Sequence, residues 1–322
     1  MAASRELELP PLPSTFRFDE RRRLVISGFG RPIALPVIQL LDAGLPSIRR
    51  LIRSRKRQVI LARYLSPTAK QEVERAGWGW IETSGNAHIA SDRVFVHIER
   101  PIDRESARRS GVRPIPPQGE RIVRFLLDSY PRSLRVSEIA RVTQLDKGYT
   151  SRILTTLRQT GLVAYGRTTP VEVPSPAELF EFWQRTPPRV VESSWYVSRT
   201  GPLDRLAKRA QSAAGVNRAC FTGTFAAGLL VRYLEAERID CYVSDVHLAT
   251  RIGEALGGEP VSKGANLLFL VHRDPGILTI GTSTRAGLSV ASVSQVYRDA
   301  FERGRGRERE AANELRKQVL KW

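Results

Sequence analysis

The pattern of apolar and polar positions predicts three successive regions. Short apolar runs bounded by glycine, proline or polar residues predict strands, and apolar residues three and four positions apart predict helices. In residues 1–110 the pattern predicts strands at 21–30, 32–41 and 57–66, helices at 47–56 and 66–77, and a hairpin or two strands around a Ser-Gly-Asn turn in 78–99. This order predicts an α/β domain.

Residues 111–190 have a different pattern, in which three short amphipathic segments precede a hairpin-like run. The segments cover 119–130, 135–145 and 146–161, and "LVAYGRTTPVEV" follows them. Three helices and a hairpin in this order are typical of a winged helix-turn-helix. Ser137 is placed to cap the second helix and Asp146 to cap the third.

Residues 191–322 return to alternating β and α patterns, which predict a second α/β domain with a short sheet. The predicted elements are a strand, turn and helix in 218–235, a strand at 239–244, a helix at 248–258, strands at 266–272 and 277–281, and a helical tail from Val293 to Trp322 interrupted at "RGRGR". Proline-rich stretches at 110–119 and 185–194 predict linkers, because proline fixes φ and removes a hydrogen-bond donor. The predicted class is α+β and multidomain, with domains at 1–110, 111–190 and 191–322.

Charge indicates the kind of partner. The 322 residues have a formal net charge of +18, which favours a polyanion such as nucleic acid. Residues 121–168 alone carry nine basic and three acidic side chains. No apolar run approaches the ~20 residues that cross a bilayer, and the N-terminus has no apolar stretch of signal-peptide type. We therefore expect a cytoplasmic protein with no membrane partner.

The third predicted helix of the middle region has an apolar side and a polar side when its residues are placed 100° apart. The apolar side carries Tyr149, Thr150, Ile153, Leu154 and Leu157. The candidate DNA-binding residues are Lys147, Gly148, Ser151, Arg152, Thr155, Arg158 and Gln159, followed by Arg167 and Thr168 at or near the wing tip. Such a set supplies phosphate contacts and base-edge hydrogen bonds together. The alternative is a solvated helix or a protein-contact surface.

A second basic segment lies in the first region. Six bases occur in nine residues without an acid: Arg49, Arg50, Arg53, Arg55, Lys56 and Arg57. They are a candidate contact with flanking phosphates. The alternative is a solvated helix end whose long side chains cover apolar surface.

Two patterns suggest catalysis, and each is incomplete. The turn "FTGTFAAG" and the strand "IDCYV" are similar to nucleotidyltransferases, in which such a turn holds phosphate and two carboxylates one residue apart bind metal. Here Asp240 has the first carboxylate position and Tyr242 has the second, and Asp245 would project from the opposite strand face if the strand continues that far. The first region resembles a restriction-endonuclease-like core, yet neither Asp19 nor Glu82 is grouped with a lysine. We expect degenerate domains with no catalytic residue.

Composition and spacing also disfavour a cofactor site. Two distant cysteines, Cys220 and Cys241, and four scattered histidines fit neither a zinc finger nor a disulfide framework. We expect no metal and no cofactor.

Two family resemblances add to this picture. Lys147, Gly148, Ser151, Arg152 and the run Gly161-Leu162-Val163 resemble the recognition helix and wing of the MarR-type winged-helix superfamily. Most of the chain resembles the AbiEi-like antitoxins of bacterial type IV toxin-antitoxin systems. The motifs that carry this second resemblance are Gly85-Asn86, the turn from Thr222 to Gly228, and Gln295, Tyr297 and Asp299 in the tail. The family commonly has Asp where this chain has Glu82.

The antitoxin resemblance implies a DNA-binding regulator that represses its own operon, together with a nucleotidyltransferase-like toxin as partner. Charge and helical pattern independently indicate double-stranded DNA, and a homodimer is a further partner that winged-helix regulators often form. The alternatives are a metal-dependent nuclease or nucleotidyltransferase acting on nucleic acid, and an accessory protein that binds DNA without sequence preference.

Overall fold

The computed structural model describes residues 13–21, 23–28, 30–40, 43–54, 57–99, 115–166, 168–185, 190–198, 201–304 and 306–322. Within these ranges the chain is α+β, with two mixed sheets and eleven α-helices. It divides into two compact units, one formed by residues 1–115 and 151–185 and the other by residues 116–150 and 186–322. The three predicted domain boundaries and the two degenerate domain types remain predictions.

The first unit contains a sheet whose described strands lie side by side in chain order. They are β1 (Phe16–Phe18), β2 (Arg23–Ile26), β3 (Ile33–Leu40), β4 (Val59–Ala62), β5 (Gly79–Glu82), β6 (Ala87–Ala90) and β7 (Phe95–Ile98). Strands β3, β4 and β5 are parallel, and the outer pairs are antiparallel. Parallel neighbours need a crossover, which helices α1 (Leu45–Ser54) and α2 (Pro67–Arg75) supply.

Strand β4 shows why this sheet forms. All four of its residues are buried, because successive side chains enter two different apolar clusters. Ile60 packs with Ile48 and Val73 of the two helices, whereas Leu61 packs on the other face with Leu24 and others. The predicted strands and helices of this region are confirmed, although 78–99 holds three strands rather than two.

Helix α2 also supports the last helix of this unit. Ser66 caps α2 by accepting a bond from the Ala69 amide, with Pro67 in the first helical position. Ser66 also donates to Glu178, and Thr68 donates to Glu181 at 2.8 Å. Both acids lie on a helix (Pro176–Gln184), which is therefore anchored to α2 within the first unit.

The helix-turn-helix helices are α3 (Glu120–Ser129), α4 (Val136–Thr143) and α5 (Lys147–Gln159), and α6 is the helix Pro176–Gln184. A short 3-10 turn, Pro117–Gly119, precedes α3 at the end of the predicted linker. The predicted Ser137 cap is wrong. Arg135 occupies the N-cap of α4 without a side-chain bond, so Ser137 lies inside the first turn.

The second unit contains another mixed sheet. Its strands are β8 (Val190–Val197), β9 (Ala219–Thr222), β10 (Ile239–Val243), β11 (Gly258–Pro260), β12 (Leu267–His272), β13 (Ser283–Arg285) and β14 (Leu288–Val290). Their order across the sheet is β11-β8-β12-β10-β9-β14-β13. Its helices are α7 (Leu203–Ala214), α8 (Gly223–Leu230), α9 (Val246–Ala255), α10 (Val293–Arg303) and α11 (Arg307–Leu315), and a π-helical turn, Arg316–Leu320, ends the tail. The predicted break in the tail is confirmed between α10 and α11.

Two predictions for this region are wrong, and the condition for a third, a strand that continues as far as Asp245, is not met. The sheet is larger than expected, because β8 begins within the predicted linker 185–194, where valines pair with Val271 and His272 of β12. Residues 275–278 form a 3-10 helix instead of a strand, because Asp274 caps the amide of Gly276. Strand β10 ends at Val243, and Asp245 caps α9 instead of lying on a strand face.

Candidate nucleic-acid interface

The N-terminus of α5 is organised by Asp146, as the sequence predicts. Its carboxylate accepts hydrogen bonds from the amides of Gly148, at 2.7 Å, and Tyr149, at 3.1 Å. A Cβ on Gly148 would lie 3.0 Å from Asp146 Oδ1, so glycine leaves room for the cap. The cap satisfies amides at the helix end that have no intrahelical acceptor.

The apolar side of α5 is directed inward. Thr150, Leu154 and Leu157 are fully buried, and Tyr149 and Ile153 are half-buried. The buried hydroxyl of Thr150 donates to the carbonyl of Asp146 at 2.9 Å, and this bond offsets the free energy lost on removing the hydroxyl from water. The predicted division of the helix into two sides is therefore correct for these residues.

The polar side of α5 is open at most of its positions. Lys147, Gly148, Ser151, Arg152 and Arg158 are exposed, whereas Thr155 and Gln159 are half-buried. The open face thus carries Lys147 and Arg152 in its N-terminal half and Arg158 near its C-terminus. The only acid beside it in the described stretch 146–159 is the capping residue Asp146. DNA contact by these residues stays a prediction.

Tyr165, which is not among the predicted site residues, organises the C-terminal half of this face. Its hydroxyl lies 3.1 Å from that of Thr155. Its carbonyl accepts from Arg158 at 3.3 Å, and the Arg158 guanidinium lies 4.8 Å from the ring centroid. This cation–π contact and the bond hold Arg158 in one orientation. The sequence signal that could have indicated Tyr165 is its position as an aromatic residue at the start of the predicted wing.

The wing contains less regular β-structure than the predicted hairpin. Gly161 adopts φ of +74° and ends the helix, and the Leu162 amide bonds to the Leu157 carbonyl. Leu162 and Val163 are buried but belong to no strand, and an isolated antiparallel bridge joins Ala164 to Glu172. Thr168 is exposed, and Arg167 lies outside the described residues.

The second basic segment forms α1 and the residues that follow it. Arg49, Arg50, Arg53 and Arg57 are exposed, whereas Arg55 and Lys56 lie outside the described residues. Helix α1 contains no acid in its first turn and has Arg53 in its last turn. Its exposed side is therefore cationic, as a phosphate contact requires.

An additional arginine, Arg75 of α2, joins this segment. Arg49, Arg53 and Arg75 line a hollow of about 260 Å³ together with Glu72. Arg49 donates to Glu72 at 2.8 Å, and this bond, aided by the neighbouring arginines, lowers the pKa of Glu72. Arg75 lies far from the segment in sequence, so only the packing of α1 against α2 brings it there.

The predicted nucleotidyltransferase-like position does not have a free carboxylate. Asp240 is buried, and Arg238 binds its two oxygens at 2.6 Å and 3.1 Å. Gly223, at the turn, has φ of +65°, and a Cβ there would lie 2.8 Å from Asp240 Oδ2. The guanidinium of Arg238 therefore pairs directly with the carboxylate of Asp240.

A second acid near this position comes from the tail rather than from the strand. Asp299 of α10 accepts from the hydroxyls of Thr222, at 2.6 Å, and Tyr242, at 2.8 Å, and from the Gln295 amide at 3.1 Å. All four side chains are buried. Gln295 and Asp299 carry part of the family resemblance, but the sequence alone does not place them beside Tyr242.

The endonuclease-like candidates are also paired. The expectation that Glu82 has no lysine is wrong, because Lys70 Nζ lies 3.2 Å from Glu82 Oε2. Glu82 is buried and also accepts from the Leu65 amide and the Asn86 side chain. Asp19 pairs with Arg23 on the surface. Lys70 comes from α2, four positions after the Ser66 cap, which the strand pattern could not indicate.

Two further features are absent from the described residues. They contain no group of three or more His, Cys, Asp or Glu side chains arranged to hold a metal ion. No helix among them is both long enough and apolar enough to cross a membrane.

Comparison with known proteins identifies the middle region. Residues 125–167 match the family model described as the IclR helix-turn-helix domain. The match extends from within α3, through α4 and α5, into the wing, and it supports a helix-turn-helix DNA-binding regulator. No curated protein and no solved structure matches the chain significantly.

Proposed function

We propose that the protein is a sequence-preferring regulator of transcription that binds double-stranded DNA, of the antitoxin type. The observation that carries the proposal is the open face of α5. Lys147, Ser151 and Arg152 are exposed beside a capped helix N-terminus. Side chains of these types contact base edges in the major groove while neighbouring cations contact phosphates.

The basic side of α1 is the proposed second contact. Arg50 and Arg53 are exposed there, and Arg75 extends the cationic surface. These residues would bind phosphates flanking the site, which adds affinity without reading sequence. We place the protein in the cytoplasm, where such a target is available.

We further propose that the protein acts without catalysis. Two observations support this: Asp240 is bound on both oxygens by Arg238, and Glu82 is saturated by Lys70 and two amide donors. Incubation with DNA, labelled nucleotides and Mg²⁺ or Mn²⁺ should give neither cleavage nor label transfer. Activity that Asp240→Ala abolishes would instead establish the enzyme alternative.

Selection from a random duplex library tests sequence preference. We expect one motif to be enriched, and Arg152→Gln to weaken binding to it about tenfold, the scale of one good base contact. Arg251→Gln, a change of an exposed arginine on α9, is the control and should leave binding unchanged. A library that stays random would indicate shape-based binding, and equal losses on selected and unselected DNA would contradict groove contact by Arg152.

The antitoxin type predicts self-repression. The selected motif should occur in the DNA upstream of the protein's own gene, and expression of the protein should reduce a reporter driven by that DNA. Arg152→Gln should relieve the repression. A motif that is missing there, with an unrepressed reporter, would overturn the antitoxin type while leaving DNA binding intact.

A further inference from the structure

A charged cavity of about 390 Å³ lies in the second unit. It is bordered by β8, the beginnings of β10 and β12, the end of α10 and the beginning of α11. Five of its nine lining residues are arginine or glutamate, namely Glu192, Arg238, Glu302, Arg303 and Arg309. Its volume falls within the roughly 300–1,000 Å³ of small-molecule sites, but such a lining disfavours an apolar ligand.

The acids around this cavity already have cationic partners. Glu192 pairs with Arg303 at 2.5 Å, Glu302 with Arg298 at 2.8 Å, and Asp240, behind the wall, with Arg238. Arg298 also pairs with Glu120, so its charge is shared between two acids. Arg309 differs from Arg238 and Arg303, the other two arginines of the lining, because it forms no ion pair among the residues that the structure describes.

Arg309 is held in place in a way that leaves donors available. Its Nε donates to the Phe301 carbonyl at 3.2 Å, and its guanidinium lies 5.4 Å from the Phe301 ring centroid. Within the described part of the chain, its two terminal nitrogens make no hydrogen bond. A planar group with a fixed stem and unused N–H donors is suited to bind phosphate oxygens.

We propose that this cavity binds a small phosphate-bearing molecule of about mononucleotide size. Arg309 would make the first contact, and the guanidinium groups of Arg238 and Arg303 would supply further donors at the wall. Arg303 lines the cavity, and its side chain is 18% exposed. The site is independent of the face of α5 and extends the protein's function beyond DNA binding.

Calorimetric titration of pyrophosphate, and separately of AMP, into the full chain at 0.15 M NaCl tests the proposal. We expect one saturable site per chain. Arg309→Gln should weaken it about tenfold, the scale of a charge-assisted hydrogen bond. Glu192→Gln should strengthen it, because the change removes a negative charge and releases Arg303. Arg251→Gln, outside the cavity, should leave it unchanged.

Two outcomes would overturn the proposal. One is the absence of saturable binding by both probes. The other is an equal loss in the Arg309→Gln and Arg251→Gln variants, which would indicate general attraction to a basic surface. Arg152→Gln separates the two proposals, because it should retain pyrophosphate affinity while losing DNA affinity. Since Arg309 is exposed and Glu192 half-exposed, neither change removes a buried group, and the two variants shift affinity in opposite directions.

Discussion

Asp146 combines a structural role with an electrostatic disadvantage. Its carboxylate caps two amides of α5 and complements the positive end of the helix dipole. The same negative charge lies beside Lys147, on the face proposed to meet phosphates. The cap and the DNA contact therefore have opposite preferences for charge at this position, and substitutions can separate them.

Asp146→Ala should lower the free energy of unfolding by about 1 kcal/mol, since the amides lose their acceptor. Asp146→Asn should retain most of that stability, because the side-chain oxygen still accepts, and should bind DNA more tightly because the negative charge is gone. Urea unfolding and DNA titration measure the two effects. Equal stability of the Ala variant and the wild type would contradict the capping role.

Single residues also show what the sequence could and could not predict. The Asp146 cap was predictable because the amides that it binds belong to its own chain neighbours. The Glu82–Lys70 pair and the Asp299–Tyr242 contact were not, because each joins residues from different elements that only the folded packing brings together. The candidate face of α5 could therefore largely be predicted from the sequence, whereas the contacts of Glu82 and Asp299 could not.

At the scale of elements, α3 is fixed within the second unit by buried charges. Arg121 binds Asp274 through Nε and Nη2, at 2.5 Å to 3.0 Å, and Arg298 of α10 pairs with Glu120 at 3.3 Å. These groups are buried. The first helix of the helix-turn-helix is thus an integral part of this unit.

Arg121→Met should destabilise the protein by about 3–5 kcal/mol, because it leaves the buried Asp274 with Arg124 at 3.7 Å as its nearest remaining cation. Adding Asp274→Asn should recover part of the loss, since the uncompensated charge is removed while an oxygen remains for the Gly276 amide. A double-mutant cycle of unfolding free energies measures the coupling. Strictly additive losses would show that the pair contributes no coupling.

Asp128, also on α3, gives a pH-dependent test of the same packing. Burial raises the pKa of Asp128 to about 6, although it accepts a bond from the Ser294 amide. The unfolded value is about 3.9, so between about pH 4 and 6 the folded chain binds more protons than the unfolded chain. The stability contributed by this group must therefore fall as pH rises through that window.

The variant Asp128→Asn isolates this contribution, because its amide does not ionise. Its stability relative to the wild type should increase from about pH 4 to pH 6 and then level off above about pH 7. Chemical unfolding of both proteins at matched pH values measures the difference. A difference that does not change with pH would mean that Asp128 titrates at its ordinary pKa.

Across the whole molecule, the order of strands and helices was predicted better than the number of strands in each sheet. Strands with strong apolar runs, such as β4 and β12, were predicted because their burial on both faces leaves continuous apolar sequence. The short edge strand β13 was missed because it has no apolar run. Strand β8 was missed because Glu192, Ser193 and Ser194 interrupt its apolar residues, and because it pairs with β12, which is distant along the chain. The division into two units was likewise hidden, since each combines separated stretches of sequence.

Net charge is the property of the whole molecule that most directly affects DNA binding, and its placement matters as much as its size. If α1 binds phosphates, Arg50→Gln with Arg53→Gln should reduce the slope of log affinity against log salt by about 2, near 0.9 for each phosphate that is no longer neutralised. The enriched DNA motif should stay the same, because phosphate contacts carry no sequence information.

The matched control is Lys208→Gln with Arg209→Gln on α7, where both side chains are exposed. This variant loses the same charge from the same +18 chain, but at a position with no proposed contact. Fluorescence titration between 50 and 300 mM salt, about the range in which counterion release dominates, compares the slopes. Equal changes in both variants would mean that α1 contributes through net charge alone. A smaller change in the α7 variant would place counterion release at α1.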